Sequence, residues 1–406
     1  MLSQTEIPDR NGAIGPTRVD IVRSIDGIVA IADQWRALEL RAADPMTYFQ
    51  SLDWCLTWCR FYGGENDENG IRIATVWQAG RLVLVWPLML AGSPWTVRRV
   101  LPLTLPHGQY GNMIVDPELC AGSLSAIVGE CLDRVTSADS PDLVSFADVP
   151  ASAGELRAAC GEAGQVQPAG ASAWMDLTRF PDWESYRQAL GKTVRKGRNR
   201  RRNALQRLGE VDYVVKCGNE EGYVELVHAG VEMKQVWLKE TGRATRVVNR
   251  PDFADFLSAL SYDPETRSGA VAAAVMLDGR PVAVEIGFEW FDRFYSYLGS
   301  FDWDLRGHSP GKVQLEEAMR WCIERGIHAY DLLGEPSTYK SDWSNMSTPL
   351  NSWGTEPTLR GKAYASIWSR SLRPAAKTLM ESAPLGVRTR LAPILERVAK
   401  GTSDTA

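Results

Sequence analysis

The chain has 406 residues, of which 44% are hydrophobic and 23% charged, a balance that excludes a disordered, collagen-like or coiled-coil chain. Forty-five basic residues against fifty acidic ones give a net charge of −5, so no overall positive field attracts DNA. No apolar run approaches the roughly 20 residues of a membrane-spanning helix, and no secretory signal is recognisable, so we expect a cytoplasmic protein. The length predicts two domains.

The cysteines and histidines form no metal-binding pattern. The seven cysteines are scattered, and only Cys55 and Cys59 lie one helical turn apart. The four histidines show no ligand-pair spacing. We therefore expect reduced, buried thiols and no metal ion.

The first half of the chain alternates between strand and helix patterns. The predicted strands are Arg18–Ser24, Ile71–Gln78, Arg81–Leu90, Trp95–Leu101, Leu143–Phe146 and Ala171–Leu177. The predicted helices are Asp26–Arg41, Leu52–Tyr62, Ala121–Val135 and Glu155–Gly161. Residues 18–178 are expected to form an N-terminal lobe, preceded by a flexible stretch at residues 1–17.

The second half contains a run of strand, strand, strand, helix and strand. The predicted strands are Val211–Cys217, Val271–Leu277, Pro281–Trp290, Phe294–Ser300, His328–Leu332 and Leu350–Trp353. The predicted helices are Asp182–Leu190, Thr193–Leu208, Glu220–Glu240, Asp252–Ser261, Pro310–Arg325 and Lys362–Met380. Residues 179–365 are the expected C-terminal lobe, and residues 366–406 a helical tail. The predicted fold class is α/β (α+β), with a mixed, mostly antiparallel sheet flanked by helices in each lobe.

The loop before the helix at Pro310–Arg325 has an anion-binding pattern. Ser309 suits the N-cap, Pro310 suits the first helical position, and Gly311 keeps bulk out of the first turn. A bare first turn offers N–H donors and the positive end of the helix dipole to an anion, and Lys312 adds a cation. The pattern predicts a diphosphate, such as that of coenzyme A, as the ligand. The alternative is an ordinary capped helix.

Three stretches of the chain resemble known acyltransferases. The sequence Arg306-x-x-Ser309-x-Gly311 is similar to the acyl-CoA loop Gln/Arg-x-x-Gly-x-Gly/Ala of the GNAT superfamily, with Ser309 in place of the central glycine. The basic stretch at residues 190–209 and the Tyr-Asp and Tyr-Lys-x-x-Trp motifs within residues 330–343 resemble the double-GNAT, CelD-like acetyltransferases. The FemABX aminoacyltransferases are relatives of that branch.

The resemblance implies two tandem GNAT-like lobes and transfer of an acyl group, acetyl in the first instance, from acyl-CoA to an amine. The implied acceptor is an amino sugar or lipid-linked sugar of bacterial cell-surface polysaccharide synthesis, with peripheral contact at the inner membrane face left open. An aminoacyl-tRNA donor and a non-catalytic anion-binding module are the alternatives. The implied donor-binding residues are Arg306, Gly307, His308, Ser309, Pro310, Gly311 and Lys312.

Three residues are candidates for catalysis. Lys340 follows the last core strand, and the resemblance to Fem-type enzymes implies that it binds the oxyanion that develops during acyl transfer. Asp331 would orient this lysine, accept a bond from the acceptor amine or cap the loop. Glu285 alternates along one strand face with the small residues Ala283 and Gly287, which predicts open space above a general base; a solvent-facing glutamate is the alternative.

A very basic helix is predicted ahead of these motifs. Eight cations lie in residues 192–207, with no acidic residue among them. Such density favours contact with phosphates of a nucleotide, a lipid-linked sugar, tRNA or a lipid, the alternative being a solvated charged face. The predicted substrate-binding residues are Arg195, Arg198, Arg202, Lys234, Tyr297 and Tyr339.

Overall fold

The computed structural model of the chain describes residues 5–8, 14–63, 70–93, 96–119, 121–150, 165–243, 245, 247–334 and 338–367. The chain folds into two units. Unit 1 contains the described residues up to Gly170 and then residues 349–367, whereas unit 2 contains Ala171–Thr348. The sequence assigns residues up to 365 to the C-terminal lobe, so the last strand belongs mainly to a different unit from the one expected.

Unit 1 is a mixed sheet with helices. Its strands are β1 (Thr5–Pro8), β2 (Ile14–Val22), β3 (Ile71–Gln78), β4 (Arg81–Ala91), β5 (Arg99–Pro102), β6 (Ile114–Val115), β7 (Leu143–Pro150) and, later in the chain, β15 (Met346–Thr355). Its helices are α1 (Ile25–Ala30), α2 (Ala32–Ala42), α3 (Leu52–Tyr62), α4 (Ala121–Asp139) and, also later, α11 (Leu359–Tyr364). The strand order is β1-β2-β3-β4-β5-β7-β15, with β6 beside β4, and only the β5–β7 pair is parallel among the pairings described.

The core of unit 1 lies between its sheet and α4. Ile127 and Val128 of α4 are buried with Trp86 of β4 and Phe146 of β7, whose rings lie 5.1 Å apart. Trp353 of β15 is only 4% exposed in the same core. The last strand therefore completes a core that the first 150 residues begin.

Unit 2 contains the strand–strand–strand–helix–strand run. Its strands are β8 (Gln165–Asp176), β9 (Val211–Cys217), β10 (Tyr262–Asp263), β11 (Ser268–Leu277), β12 (Arg280–Trp290), β13 (Arg293–Phe301) and β14 (Ala329–Asp331). Its helices are α5 (Trp183–Ala189), α6 (Lys192–Gln206), α7 (Tyr223–Glu240), α8 (Phe253–Ser258), α9 (Pro310–Glu324) and α10 (Thr338–Ser341). The strand order is β8-β14-β13-β12-β11-β10, with β9 beside β11.

The hairpins of unit 2 follow from their turn residues. Asp278 and Gly279 both have positive φ angles, 49° and 75°, as a two-residue turn between β11 and β12 requires. The next turn falls at Phe291 and Asp292, so β13 begins one residue before the predicted start at Phe294. Arg293 thereby becomes the first residue of β13 instead of a turn residue.

The predicted α/β class, with a mostly antiparallel sheet in each lobe, is confirmed. The predicted helix at Glu155–Gly161 and most of the one at Lys362–Met380 lie outside the described residues. In the part of the chain that the structure describes, no helix combines the length and apolar character needed to cross a membrane.

Candidate active site

The two parallel strands of unit 2 separate after a short pairing. Residues 293–295 of β13 pair with residues 329–331 of β14, and β13 then continues to Phe301. The chain beyond β13 enters a 3₁₀ turn (Trp303–His308) and α9, whereas the chain beyond β14 leads to Lys340. Ligands of open α/β sheets bind beyond the carboxyl ends of the parallel strands. This separation therefore defines the candidate active site.

A β-bulge interrupts β13 beside the separation. Gly287 of β12 pairs with Ser296, whereas residue 286 pairs with residue 298, so Tyr297 is the additional residue. A Cβ on Gly287 would come within 2.3 Å of the Phe294 ring, so only glycine fits opposite the bulge. Tyr297, predicted to bind substrate, is half-buried beside the separation, with its ring centroid 5.2 Å from that of Phe288. The bulge itself leaves no sign in the sequence.

The first turn of α9 carries no capping side chain. Ser309 is at the N-cap, as predicted, but its hydroxyl makes no capping hydrogen bond and its backbone is left-handed, with φ 57° and ψ 49°. Glycine favours that conformation, so Ser309 takes the backbone shape of the glycine that it replaces in the motif. Pro310 has no N–H, Gly311 has no side chain, and the first turn contains no acidic residue. The positive end of the helix dipole is therefore open to an anion.

The remaining predicted donor residues surround this turn. Arg306 and Lys312 are exposed cations, and the Arg306 guanidinium donates to the Trp303 carbonyl at 2.9 Å. Gly307 is also exposed, and His308 is half-buried. This stretch of the chain offers cations and main-chain groups to an anion.

Glu285 lies under α9 instead of below open space. Its side chain is enclosed, with the residue only 3% exposed, and it accepts hydrogen bonds from the Tyr330 and Ser296 hydroxyls. Burial raises the pKa of Glu285, and side-chain hydrogen bonds, those from Ser296 and Tyr330 among them, oppose the rise. The prediction of open space above Glu285 is wrong, because the small residues Ala283 and Gly287 instead leave room for α9 and for aromatic rings.

Asp331 holds the start of the loop that leads to Lys340. Asp331 is fully buried, accepts from the Arg293 guanidinium at 2.8 Å, and accepts from the Leu333 main-chain N–H at 2.8 Å. The Lys340 ammonium in turn donates to the carbonyls of Leu333 and Gly334. Of the three roles considered for Asp331, the structure shows the loop-capping one, which positions Lys340 indirectly.

Lys234 reaches the same edge of the sheet from α7. A Cβ on Gly230 would lie 2.9 Å from the Val284 side chain, so glycine lets α7 approach β12 closely. Lys234 is one turn further along that face, and its ammonium donates to the Gly299 carbonyl at 3.1 Å. Burial, and then the cations Arg243 and Lys340, lower the pKa of Lys234 to about 8. The structure thus brings Lys234 and Lys340 together.

Arg198, predicted to bind substrate, is instead part of the packing of unit 2. It is 3% exposed, and its guanidinium carbon lies 3.7 Å from the Trp343 ring centroid. It also donates to the Tyr186 hydroxyl at 3.1 Å and lies 4.0 Å from the Glu316 carboxylate. The basic helix and the Tyr-Lys-x-x-Trp motif are thus joined by one buried cation–π contact.

The other cations of residues 192–207 divide into two groups. Arg202, also predicted to bind substrate, instead forms an ion pair with Glu317 of α9. Among the described residues, no carboxylate forms an ion pair with the remaining six cations, Lys192, Arg195, Lys196, Arg200, Arg201 and Arg207. The side chain of Tyr339 lies outside the described residues. Sequence reasoning missed Arg293 and Tyr330, whose spacing along the chain gives no signal of their carboxylate partners.

A family model described as an acetyltransferase (GNAT) domain matches residues 192–341. This range runs from α6 to the end of α10 and includes the separated strands and the open turn of α9. Residues 192–341 form a GNAT acetyltransferase domain. The chain is therefore an acyltransferase, and its resemblance to the GNAT superfamily is confirmed. No curated protein sequence matches the chain.

Solved structures extend the similarity of fold beyond the GNAT domain. FemX is similar with a TM-score of 0.57 at 12% identity, over 82% of this chain and 98% of the FemX chain. The L-PGS protein of Bacillus licheniformis is similar with a TM-score of 0.51 at 13% identity, over 82% of this chain and 94% of that one. At such identities the likeness concerns the fold alone.

Proposed function

We propose that the GNAT domain transfers an acyl group from acyl-CoA to an amine. The observation that carries the proposal is the separation of β13 from β14 next to the uncapped first turn of α9. The donor diphosphate would bind at this turn, near the exposed Arg306 and Lys312. The thioester arm would extend along the open edge of β13 toward the bulge at Tyr297.

The reaction would be direct transfer. The acceptor amine attacks the thioester carbonyl, a C–N bond forms, the C–S bond breaks, and the CoA thiolate leaves as the ammonium loses its proton. Holding both substrates in one cleft supplies the required proximity. Burial raises the pKa of Cys322 well above its ordinary value, so this thiol is a poor nucleophile, which agrees with a mechanism without a covalent enzyme intermediate.

Within this mechanism Lys340 would stabilise the oxyanion formed on the thioester carbonyl. Its ammonium donates hydrogen bonds to two main-chain carbonyls just beyond the end of β14. These bonds support a fixed position of Lys340 beside the separated strands. Glu285 is enclosed and its partner Tyr330 is fully buried, so Glu285 would act on the reaction through the half-buried Ser296, as a positioning residue rather than as a base in contact with the acceptor.

The proposed acceptor is an amino sugar, or a related precursor, of bacterial cell-surface polysaccharide synthesis. This assignment rests on the resemblance to the CelD-like branch. Acetyl-CoA is the first donor to test.

A second candidate donor is an aminoacyl-tRNA. The resemblance of the sequence to the FemABX aminoacyltransferases favours it, as do the six cations of residues 192–207 that have no ion pair among the described residues. The exposed cations would then contact RNA phosphates. The two candidates differ in what binds at the start of α9.

Titration calorimetry with acetyl-CoA, longer acyl-CoAs, desulfo-CoA and aminoacyl-tRNA separates the two donors. We expect heat with the CoA compounds; heat with aminoacyl-tRNA alone would reject the proposal. Mass spectrometry of a panel of amino sugars and nucleotide sugars incubated with acetyl-CoA then identifies the acceptor.

A charge introduced at the first turn of α9 tests the donor site. Gly311→Asp places a carboxylate at the open helix end, and we expect desulfo-CoA affinity to fall at least tenfold. Gly311→Ala is the matched control, because the three atoms nearest to its Cβ would all belong to the Phe301 side chain, the closest at 3.2 Å. Its affinity should stay within about threefold of wild type. Equal losses in both variants would point to a packing effect.

A further inference from the structure

Two cations lie over the Trp237 ring near the open edge of β13, and a third interacts electrostatically with one of them. The ammonium of Lys234 lies 4.5 Å from the Trp237 ring centroid, and the guanidinium carbon of Arg243 lies 5.0 Å from the same ring. Lys340 is close enough to depress the pKa of Lys234. Among the described residues, neither Lys234 nor Arg243 has an ion-pairing carboxylate.

The hydrogen-bond pattern shows on which side of β13 Lys234 lies. The Asp302 N–H donates to the Val282 carbonyl at 2.9 Å, so residues 282 and 302 form a hydrogen-bonded pair. Bonded and non-bonded pairs alternate in an antiparallel ladder, so Glu285 and Gly299, three positions along the register, form a non-bonded pair. The Gly299 carbonyl therefore points away from β12, toward the edge that β14 has left.

This edge is where the uncharged part of the proposed donor would lie. The thioester arm of acyl-CoA carries no charge, and the donor diphosphate already has a place at the first turn of α9. The half-buried Lys234 and the exposed Arg243 are like charges that repel one another, and an arriving anion relieves that repulsion. The anion that fits this position therefore belongs to the acceptor.

We infer that Lys234 and Arg243 bind a phosphate ester on the acceptor amine, with the Trp237 ring packed against its sugar. The inference rests on the proposed function and narrows its acceptor to a phosphorylated or nucleotide-linked amino sugar. An ammonium and a guanidinium together suit a phosphate, since each donates charge-assisted hydrogen bonds to its oxygens. The aromatic face suits the apolar face of a sugar ring.

Acceptor kinetics test the inference. With acetyl-CoA as donor, we expect glucosamine 1-phosphate to exceed glucosamine in kcat/KM by at least tenfold. Lys234→Met should remove most of that preference through KM, with kcat changed less than threefold. Lys239→Met, an exposed lysine later on α7, is the matched control and should keep the preference. UDP-glucosamine in a parallel assay shows whether the phosphate is nucleotide-linked.

Binding of inorganic phosphate gives a readout without catalysis. At pH 8 Lys234 is partly deprotonated, and a bound anion favours its charged form, so phosphate binding should take up protons. Calorimetry in buffers of different ionisation enthalpy measures that uptake, which Lys234→Met should abolish. Because this assay needs no acyl-CoA, phosphate binding can succeed or fail independently of the proposed reaction.

Three outcomes would overturn the inference. The first is no phosphate binding by an enzyme that still binds desulfo-CoA. The second is an equal loss of kcat with both acceptors in Lys234→Met, which would identify a proton-transfer role. The third is weaker desulfo-CoA binding in that variant, which would assign the cations to the donor.

Discussion

Arg198 shows how a charged residue in a basic run can belong to the core. Its guanidinium is buried against Trp343 and hydrogen-bonded to Tyr186. In the sequence it is one of eight similar cations, and nothing local marks it as the buried one. Only tertiary packing distinguishes it from the exposed Arg200.

Removing the Arg198 charge should therefore cost stability. Arg198→Met leaves the Tyr186 hydroxyl and the Glu316 carboxylate without this partner, and we expect a loss of about 3 kcal/mol in the free energy of unfolding. Arg200→Met should change it by less than about 0.5 kcal/mol. Urea denaturation measures both variants. Equal effects would mean that Arg198 is not a packing residue.

Lys340 is the residue on which the proposed chemistry depends most. Lys340→Ala removes the ammonium beside the separated strands, and we expect turnover to fall by about 10²–10³. Desulfo-CoA affinity should remain within about threefold, because the donor diphosphate binds elsewhere. Steady-state kinetics and calorimetry give the two quantities. Unchanged turnover would mean that Lys340 only stabilises the preceding loop through its hydrogen bonds to the Leu333 and Gly334 carbonyls and takes no part in the reaction.

Local patterns predict most elements of the GNAT domain but not their partners. Period-2 alternation in β12 correctly predicts which residues share a face with Glu285, yet it does not reveal that α9 covers that face. The bulge at Tyr297 likewise depends on a register set by the neighbouring strand. At Ser309 the motif gave the position of the helix start, whereas the left-handed backbone became visible only in the structure.

In unit 1 a buried carboxyl joins two helices. Glu39 of α2 accepts from the main-chain N–H of Leu52, the first residue of α3, at 2.6 Å. Burial raises the pKa of Glu39 from 4.5 to about 8. The folded state therefore keeps a proton that the unfolded chain loses above pH 4.5.

The pH dependence of the free energy of unfolding tests whether Glu39 keeps its proton in the folded state. Between pH 4.5 and about 8, the Glu39 contribution should fall as pH rises, by at most about 1.4 kcal/mol per pH unit. Glu39→Gln retains an acceptor for Leu52 and cannot ionise, so it should match wild type near pH 5 and exceed it at pH 9. Urea denaturation across this range measures the difference. A pH-independent difference would refute the assignment.

At the scale of the whole chain, unit 1 is discontinuous. β15 pairs with β7, with Leu350 opposite Pro150 and Thr355 opposite Val144. Strand patterns predict that a strand exists near Leu350–Trp353, but a strand pattern carries no information about which sheet it joins. The prediction assigned this strand to the C-terminal lobe because it comes late in the chain. In the structure the strand pairs with β7 and packs into the core of unit 1.

Trp353 should stabilise a unit whose other residues lie far away in sequence. Trp353→Ala leaves a cavity beside Phe146, and we expect a loss of 3–5 kcal/mol, on the order seen for large aromatic deletions. Leu359→Ala, at an 83% exposed position, should change stability by less than about 0.5 kcal/mol. Hydrogen exchange of the β7 amides reports which unit loosens. Faster exchange confined to unit 2 would contradict the proposed role of Trp353 in stabilising unit 1.

The late return of β15 has a consequence for synthesis on the ribosome. After β7 leaves the exit tunnel, some 200 further residues must be added before the strand that covers its free edge leaves the tunnel as well. At roughly 5–20 residues per second, that delay is on the order of 10–40 s. Throughout this interval the nascent chain carries an uncovered strand edge, the feature that most readily pairs with foreign chains, so holding by a chaperone should matter most during this window.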